Sequence, residues 1–557
     1  MPPTEQKRRY IVKGVWLVSI LLFASLALID YVPAFSSRGR SRVVLLDNGL
    51  LDFDRPQDHP PDSGTEGMFG SLIDYLRMMG FSTERTKGPF TSELLSKTDI
   101  LIVINPFYQW SDDELALIKK WVNDGGALLA LGDHTDLGGM NQSLNPLLTQ
   151  FGARFNFETG DAHKAILRHG WRVGYHPAFF GVSYYSHLYW GTGGTLSVSL
   201  PFEPVVEGAY AFGDVGNYQA NSYFGNRSYD RGEKAGDITL AAVAGPGRGK
   251  VAVFADTSPF LNGTIHLSFH PFVYNLFRWL ESRSHVSNPY AVRWICSAML
   301  VGLVIWGWRT WEVSMLRAAM VIVIAVLLFD RYTSVQELEP ARGEKPIAIL
   351  DFSHLPKWAT DPFQNHSVDG TAGVLLRTGY LPITMWKFDR ALLSHANLVM
   401  INEPASRYGD AERRALYDWV RAGGILVVGG SFETPDATND LIAPLGLQLN
   451  KVPLGTAYPE VAYSGSKEYV DIPNTAPIAY REVPQALQVQ YSTRVLAENE
   501  GYPVAVRVEM GKGRVVLIGS DRFLTSESLQ DRDNPRRGVN VTWLLTTLKE
   551  TAAEVAN

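Results

Sequence analysis

Acidic and histidine side chains that could do chemistry gather in the first half of this 557-residue chain. The turn Gly-Asp-His-Thr-Asp follows an apolar run, and an Asp-Ala-His sequence stands a short way downstream. Carboxylate oxygens and neutral imidazole nitrogens bind zinc and other divalent ions, and the same groups act as general acids and bases. The candidate ligand or metal residues are Asp47, Asp133, His134, Asp136, Asp161 and His163.

These candidates have a second interpretation. No spacing among them matches a metal motif such as His-Glu-x-x-His, so the sequence indicates no particular metal or cofactor. A protein without any cofactor is equally compatible with it. Asp133 and Asp136 could instead cap the following helix, and Asp47 could form an Asx turn. The histidines would then be hydrogen-bonded surface residues. Both interpretations stay open at this stage.

The secondary-structure elements that must position these residues are repeated along the chain. From Asp99 to Gly132 an apolar run, an amphipathic stretch and a second apolar run follow one another, and the same order returns from Asn397 to Gly430. Trp121 pairs with Trp419 across the two copies, and the register between them holds without a gap. A constant offset of this kind predicts an internal duplication.

Each copy has the pattern of a strand, a helix and a second strand. The apolar runs are unbroken rather than alternating, which is typical of parallel strands covered by helices on both faces. Ser111 and Glu114 have the spacing of a capping box, and the paired glycines Gly125 and Gly126 suit a helix end. We therefore expect two doubly wound α/β domains of the flavodoxin-like class, at 42–288 and 334–557. The tryptophan of each copy is expected to be buried between helix and sheet.

The first domain carries a long aromatic-rich excursion, 158–237, that the second lacks in this form. Its aromatic side chains could form a local core. They could also form a surface that binds sugars, a membrane or a protein partner. An excursion of this length is more often functional than neutral.

Apolar segments outside the two domains predict about three membrane helices. Basic residues precede an uncharged run at 14–29, which indicates an N-terminal anchor over 1–41, with a cleaved signal peptide as the alternative. Two further apolar runs indicate a transmembrane hairpin over 289–333. A hairpin leaves both domains on the same side of the membrane. Arg309 and Arg317 at its tip favour the extracytoplasmic side of the cytoplasmic membrane for the domains.

Charge and cysteine content exclude several classes of function. The formal net charge is −6 with acids and bases interspersed, so the chain lacks the basic stripe of a nucleic-acid-binding protein. Cys296 is the only cysteine, which excludes an intramolecular disulfide and a cysteine-based metal cage.

The repeated motifs resemble a known family. The strand DILIVINP, the helix end WVxxGG, the strand LLALG and the strand GxGKV are similar to those of class I glutamine amidotransferase-like domains. The chain is more closely similar to degenerate versions in membrane-anchored bacterial proteins of unknown function. Similar domains occur in gliding-motility transporter accessory subunits and in an intraflagellar-transport subunit. The resemblance implies the fold strongly and the function weakly.

True amidotransferases carry a nucleophilic cysteine on the turn after the strand that LLALG represents. In this chain the turn reads Gly132-Asp133-His134-Thr135 in the first copy and Gly430-Ser431-Phe432-Glu433 in the second. No thioester can form at either turn, which excludes cysteine-dependent amidotransferase activity. Ser431 also lacks the Gly-x-Ser-x-Gly context of a serine hydrolase.

Two functional hypotheses follow. The first is a non-catalytic, membrane-anchored envelope protein whose two domains bind a partner or ligand, as an accessory subunit of a transport or envelope-assembly complex. The alternative is a hydrolase or metal-assisted enzyme that uses the Asp/His cluster of the first domain. In either case a ligand site is expected in the first domain, at the carboxyl edge of its sheet.

Overall fold

A computed structural model shows two compact units that are not contiguous in sequence. Unit 1 comprises Met1–Leu51, Gly80–Ser258 and Pro271–Gln336, and unit 2 comprises Asp52–Met79, Pro259–His270 and Glu337–Asn557. The residues described are 41–47, 51–60, 67–134, 140–161, 171–174, 176–179, 181–182, 190–191, 193–216, 225–282, 338–341, 345–357, 367–480, 492–531 and 533–553, with isolated positions at 14, 16, 18, 19, 298, 302 and 305.

The elements of the first half alternate between strands and helices before a run of strands. In order they are β1 (Arg42–Leu46), α1 (Gly70–Met78), β2 (Ser82–Thr86), α2 (Ser92–Ser96), β3 (Ile100–Ile104), α3 (Asp112–Asn123), β4 (Ala127–Leu131), α4 (Met140–Thr149), β5 (Ala153–Asp161), β6 (Trp171–Val173), β7 (Gly193–Val198), β8 (Glu203–Val215), β9 (Ala235–Ala244), β10 (Lys250–Phe254), α5 (Ile265–Ser268) and α6 (Tyr274–Glu281). Helices α1 and α5 belong to unit 2.

The second half repeats the alternation. Its elements are β11 (Ile347–Asp351), α7 (Asp369–Arg377), β12 (Leu381–Met385), α8 (Arg390–His395), β13 (Ala396–Asn402), α9 (Asp410–Ala422), β14 (Ile425–Gly429), α10 (Asp436–Ile442), β15 (Leu447–Leu449), β16 (Gly455–Ala457), β17 (Glu460–Tyr463), β18 (Ser466–Tyr469), β19 (Ile472–Thr475), β20 (Ile478–Tyr480), β21 (Thr493–Asn499), β22 (Tyr502–Met510), β23 (Gly513–Ile518), α11 (Ser526–Leu529) and α12 (Arg537–Ala553).

The two main sheets share the order of their first six strands. In unit 1 the full order is β2-β1-β3-β4-β10-β9-β7-β5-β8-β6, and in unit 2 it is β12-β11-β13-β14-β23-β22-β21. The first five strands of each sheet are parallel and the sixth is antiparallel. Five parallel strands in the order 2-1-3-4-5 are typical of flavodoxin-like folds. The predicted mixed α/β class with parallel sheets is therefore confirmed, and the duplication extends to topology.

The repeated sequence motif forms the same local structure in both units. Ser111 and Glu114 make the predicted capping box at the start of α3. The first glycine of each pair has positive φ, 123° at Gly125 and 131° at Gly423, and each ends its helix. The indole of the motif tryptophan covers the second glycine and donates a hydrogen bond to a backbone carbonyl. Both tryptophans are half-buried rather than buried as expected, because the ring lies across the helix end.

The aromatic-rich excursion extends the sheet of unit 1. It supplies the end of β5 together with β6, β7 and β8, which join the sheet beyond β9. Trp171, Phe179 and Trp190 are buried, and the Phe179 ring lies 4.9 Å from that of Phe272. The described part of the excursion thus favours the core interpretation. Tyr175, Phe180 and the aromatic residues at 184–189 lie outside the described residues.

The predicted membrane segments lie almost entirely outside the described residues. Within the described part of the chain, no helix has the length and apolar character needed to cross a bilayer. Cys296 also lies outside the described residues.

Candidate functional site

The carboxyl edge of the sheet in unit 1 brings Asp133, His134 and Asp256 to adjacent strand ends. Asp133 and His134 follow β4, and Asp256 follows β10, its parallel neighbour. The Asp256 carboxylate is 1% exposed and accepts the backbone N–H groups of Gly191 at 2.6 Å and Ser258 at 2.8 Å. Burial, and next the nearby charge of Asp133, raise the pKa of Asp256 to about 6.

Asp133 and His134 form a local pair. The carboxylate of Asp133 lies 2.5 Å from Nδ1 of the imidazole and also accepts the backbone N–H of His134 at 2.7 Å. Both side chains are partly exposed. A carboxylate that orients an imidazole beside a buried acid of raised pKa is an arrangement able to transfer protons.

The other predicted residues are not brought to this pair in the described structure. Asp47 follows β1, with β3 between it and β4, and its carboxylate lies 3.5 Å from the Arg85 guanidinium. Asp161 ends β5, where its backbone pairs with Phe212 on β8. Asp136 and His163 lie outside the described residues. Among the described residues, no three His, Cys, Asp or Glu side chains are placed to hold a metal ion.

The corresponding edge of unit 2 holds a buried carboxylate that organises the turn after β14. Glu403 follows β13 with φ of 45° and is 1% exposed. Its Oε2 accepts the Ser431 N–H at 2.6 Å and its Oε1 accepts the Ser431 hydroxyl at 2.7 Å. The hydroxyl of Thr434 donates to the same Oε1. Burial raises the pKa of Glu403, and these hydrogen bonds oppose the rise.

A lysine joins this edge to the end of β23. Nζ of Lys357 lies 2.7 Å from the Glu433 carboxylate and 3.4 Å from that of Asp521, which is 2% exposed. Burial alone would lower the pKa of Lys357. The hydrogen bond to Glu433 and the charges of Asp521 and Glu403 outweigh burial, so the pKa of Lys357 is raised. The pKa of Glu433 is correspondingly lowered, chiefly by its hydrogen bond to Lys357.

A second buried carboxylate stands at the end of β11. Asp351 accepts the Ser353 N–H at 2.8 Å, the Ser353 hydroxyl at 2.6 Å and the Tyr408 hydroxyl at 2.9 Å. The His354 ring stacks on Tyr408 with 3.6 Å between ring centroids, and its two nitrogens face Ser353 at 2.7 Å and Glu412 at 3.2 Å. Burial raises the pKa of Asp351, against the hydrogen bonds from Ser353 and Tyr408.

Sequence reasoning placed the candidate site in unit 1 and missed the set in unit 2. Asp351, Glu403, Ser431 and Asp521 each come at or just after the end of an apolar strand, and carboxyl ends of parallel strands meet at one edge. That signal is present in the sequence, but the combination of acids with histidines, which favours the first copy, does not include it.

A known family of protein domains matches part of the chain. The family model described as "Domain of unknown function (DUF4350)" matches residues 368–542, a stretch within unit 2. No curated protein matches the chain.

Several solved structures are similar to the chain at low identity. The mmIFT52 N-terminal domain is 18% identical, covers 44% of this chain and 99% of its own, and has a TM-score of 0.32. A cytoplasmic protein of Salmonella typhimurium LT2 is 16% identical over 37% of this chain and 99% of its own, with a TM-score of 0.27. A putative ThuA-like protein of Bacteroides uniformis ATCC 8492 is 9% identical over 46% of this chain and 98% of its own, with a TM-score of 0.29.

Proposed function

We propose that this protein is a non-catalytic binding protein, built from two amidotransferase-like units and anchored in the membrane of the cell envelope. The observation that carries the proposal is the state of Ser431, which occupies the nucleophile position of unit 2. Its side chain is 1% exposed, and its hydroxyl and its amide N–H both donate to the buried carboxylate of Glu403.

This geometry is that of a capped turn. A nucleophilic serine needs access to substrate and a general base that takes its proton. Glu403 instead spreads its two oxygens over donors from Ser431 and Thr434, as a carboxylate does when it fixes a loop. In unit 1 the same position holds Asp133, which has neither the thiol nor the hydroxyl group needed for this type of nucleophilic attack.

Membrane anchoring is the second part of the proposal. The uncharged run at 14–29 and the paired runs within 289–333 support an anchor and a hairpin that place segments of both units on the extracytoplasmic side. A protein of this layout binds its ligand or partner next to the membrane, as an accessory subunit of a membrane complex.

Two substitutions around Glu403 test the non-catalytic proposal. Ser431→Ala removes the hydroxyl at the nucleophile position, and Thr434→Val removes another hydroxyl bond to the same carboxylate. If Ser431 only fixes the turn, both variants lose similar stability, about 1.5–3 kcal/mol for one hydrogen bond to a carboxylate, and both complement a deletion strain. The measurements are the thermal midpoint of the purified full-length protein and growth of the complemented strain.

If Ser431→Ala abolishes complementation at a normal thermal midpoint while Thr434→Val complements fully, Ser431 is a nucleophile and the proposal is wrong.

One observation favours a second candidate, acid–base chemistry in unit 1. The pKa of Asp256, raised to about 6, suits a general acid near neutral pH, and the Asp133–His134 pair lies on the adjacent strand end. Asp256→Asn tests it. Loss of complementation in a folded Asp256→Asn variant supports the enzyme, and full complementation removes it.

A further inference from the structure

A small pocket opens at the carboxyl ends of β11 and β13 in unit 2, apart from the Ser431 turn. Its volume is about 20 Å³, enough for roughly one water-sized group. Most of its wall is apolar, and its polar lining comes from Asp351, Asn402 and Thr371. The full lining is Leu350, Asp351, Phe352, Pro356, Val368, Thr371, Met400, Asn402 and Leu524.

Asn402, which lines this pocket, carries a buried acceptor without a donor among the described residues. The residue is 7% exposed, and its Nδ2 donates to the backbone carbonyl of Asp521 at 2.9 Å, which fixes the orientation of the amide. Its Oδ1 is buried and receives no hydrogen bond from any described residue. A buried carbonyl oxygen without a donor carries its full desolvation cost, so it marks a place where a ligand donor is favourable.

Asp351 adds a negative charge with spare acceptor capacity. A carboxylate offers about four lone-pair positions, and Ser353 and Tyr408 fill three of those on Asp351. Thr371 offers no competing donor, because its hydroxyl donates to the backbone carbonyl of Leu524 at 2.8 Å. The lining also contains no lysine, arginine or histidine.

We propose that this pocket binds a primary ammonium group carried on a short aliphatic chain. An ammonium is a donor-only cation, so it complements both the free acceptor of Asn402 and the charge of Asp351, while its carbon chain suits the apolar wall. Anionic ligands are disfavoured by the same charge. The inference rests on the proposed function, since it names the chemical class that a binding protein of this kind takes.

Two sources could supply this chemistry: a free small amine, or the side chain of a lysine on a partner protein. The pocket volume limits the enclosed part to the head group. A ligand of three non-hydrogen atoms, such as ethylammonium, reaches a Kd of about 0.5 mM at the ceiling of ligand efficiency. Millimolar binding by the probe is therefore the expected result.

The binding test uses saturation-transfer NMR on the full-length protein at constant ionic strength. The probe is ethylammonium chloride, with tetramethylammonium chloride as a cation without donors and ethanol as a donor without charge. Ethylammonium is expected to bind with a millimolar Kd, at least ten-fold tighter than either control.

A doubly blocked Gly-Lys-Gly peptide and its Nε-acetylated form distinguish a free amine from a partner's lysine as the source of the ammonium group. Binding of the lysine peptide assigns the site to a protein partner, and binding of ethylammonium alone assigns it to a free amine.

Variants connect the binding to the pocket. Asp351→Asn keeps the shape and removes the charge, and Asn402→Leu keeps the volume and removes the free acceptor. Each is expected to weaken ethylammonium binding at least ten-fold. The matched control is Asp389→Asn, which neutralises a carboxylate of the same unit that caps α8 through the Ala391 N–H at 2.8 Å. This control is expected to bind ethylammonium like the wild type.

Three outcomes overturn the inference. They are no ethylammonium binding by the wild type, equal binding of ethylammonium and ethanol, and equal binding by Asn402→Leu and Asp389→Asn. The first would mean that the pocket holds only water, the second that the charge is not recognised, and the third that ethylammonium binds elsewhere. A failure here combined with a harmless Ser431→Ala removes this pocket and leaves the proposed binding function standing.

Discussion

At the scale of single residues, buried carboxyl groups at strand ends dominate both candidate edges. Asp256 in unit 1 and Asp351 and Glu403 in unit 2 are almost completely buried, and burial raises the pKa of each. Each accepts at least two hydrogen bonds from its own unit, which offsets part of the desolvation cost. These acids hold the turns at the sheet edge, and their pKa values make the turns sensitive to pH.

Asp256 should make the stability of unit 1 fall as pH rises. Its folded-state pKa of about 6 lies above the ordinary value of 3.8, so between these values the folded state holds a proton that the unfolded state has lost. Relative to Asp256→Asn, the wild type is expected to lose about 2 kcal/mol of unfolding free energy between pH 4 and pH 6.5. Urea unfolding of both proteins at the two pH values measures this difference.

Asp133→Asn is the control for that experiment. Because the charge of Asp133 contributes to the raised pKa of Asp256, this variant should show a smaller loss over the same pH range. A difference between the wild type and Asp256→Asn that does not change with pH would show that Asp256 titrates normally.

A buried histidine–aspartate pair supports unit 2. Nε2 of His266 lies 2.9 Å from the Asp369 carboxylate and Nδ1 lies 3.1 Å from the Thr384 hydroxyl, with His266 fully buried and Asp369 3% exposed. Removing either side chain leaves the other buried without its partner, so His266→Ala or Asp369→Ala should each lower the free energy of unfolding by roughly 3–5 kcal/mol. The double variant should cost clearly less than the sum. Additive losses in chemical denaturation would show that the two side chains are not coupled.

At the scale of elements, the WVxxGG motif shows how a local pattern builds a helix-to-strand connection. The first glycine adopts the positive φ that ends the helix, and the second receives the face of the indole. A methyl group on Gly126 or Gly424 would overlap the tryptophan ring of its own unit. The motif therefore specifies the connection through packing as well as through backbone freedom.

This contact can be tested by a double-mutant cycle in unit 2. Gly424→Ala should cost roughly 1–3 kcal/mol because the indole of Trp419 must move. In a Trp419→Leu background the same substitution should be nearly neutral, since the smaller side chain leaves space. Thermal or urea unfolding of the four proteins gives the coupling. Equal cost of Gly424→Ala in both backgrounds would mean that the ring and the glycine are not in contact.

The local elements could be predicted from the sequence, whereas their assembly could not. The capping box at Ser111, the buried run of β3 and the glycine helix ends follow from spacing and residue type. No local pattern could show that Asp52–Met79 and Pro259–His270 pack within unit 2, because that depends on contacts distant in sequence. The strands of the excursion were missed for the same reason.

The site was predicted only in part. Asp133 and His134 do lie together at the expected edge, because adjacent residues on one turn share their position. The burial of Asp256 and Glu403 depends on loops from elsewhere in the chain, such as the one that brings the Gly191 N–H to Asp256. Periodicity carries no information about such packing.

At the scale of the whole molecule, the chain is one fold written twice with different residues at corresponding edges. Both units keep the order of five parallel strands, and the turn after the fourth strand carries Asp133 in one and Ser431 in the other. The duplication has thus kept the scaffold and changed the residue on this turn.

The proposed anchor and hairpin predict that Ser228 and Ser466 lie on the same side of the membrane. Both are exposed residues, one in each unit. Cysteine at either position in a Cys296→Ala background should react with an impermeant maleimide in intact cells. Labelling at one position and protection at the other, with both reactive after lysis, would rule out the hairpin.

In the proposed function the turn at Ser431 of unit 2 is closed and structural, and the reactivity of a thiol placed there measures this most directly. In the Cys296→Ala background, Ser431→Cys is compared with Ser466→Cys by the rate of iodoacetamide alkylation of the native protein. Because Ser431 is 1% exposed and hydrogen-bonded to Glu403, a cysteine in its place should react at least 100-fold more slowly than the exposed control. A 100-fold difference corresponds to a free energy of about 2.7 kcal/mol for opening the turn. Alkylation of Ser431→Cys as fast as that of Ser466→Cys would show an open, activated turn and contradict the account.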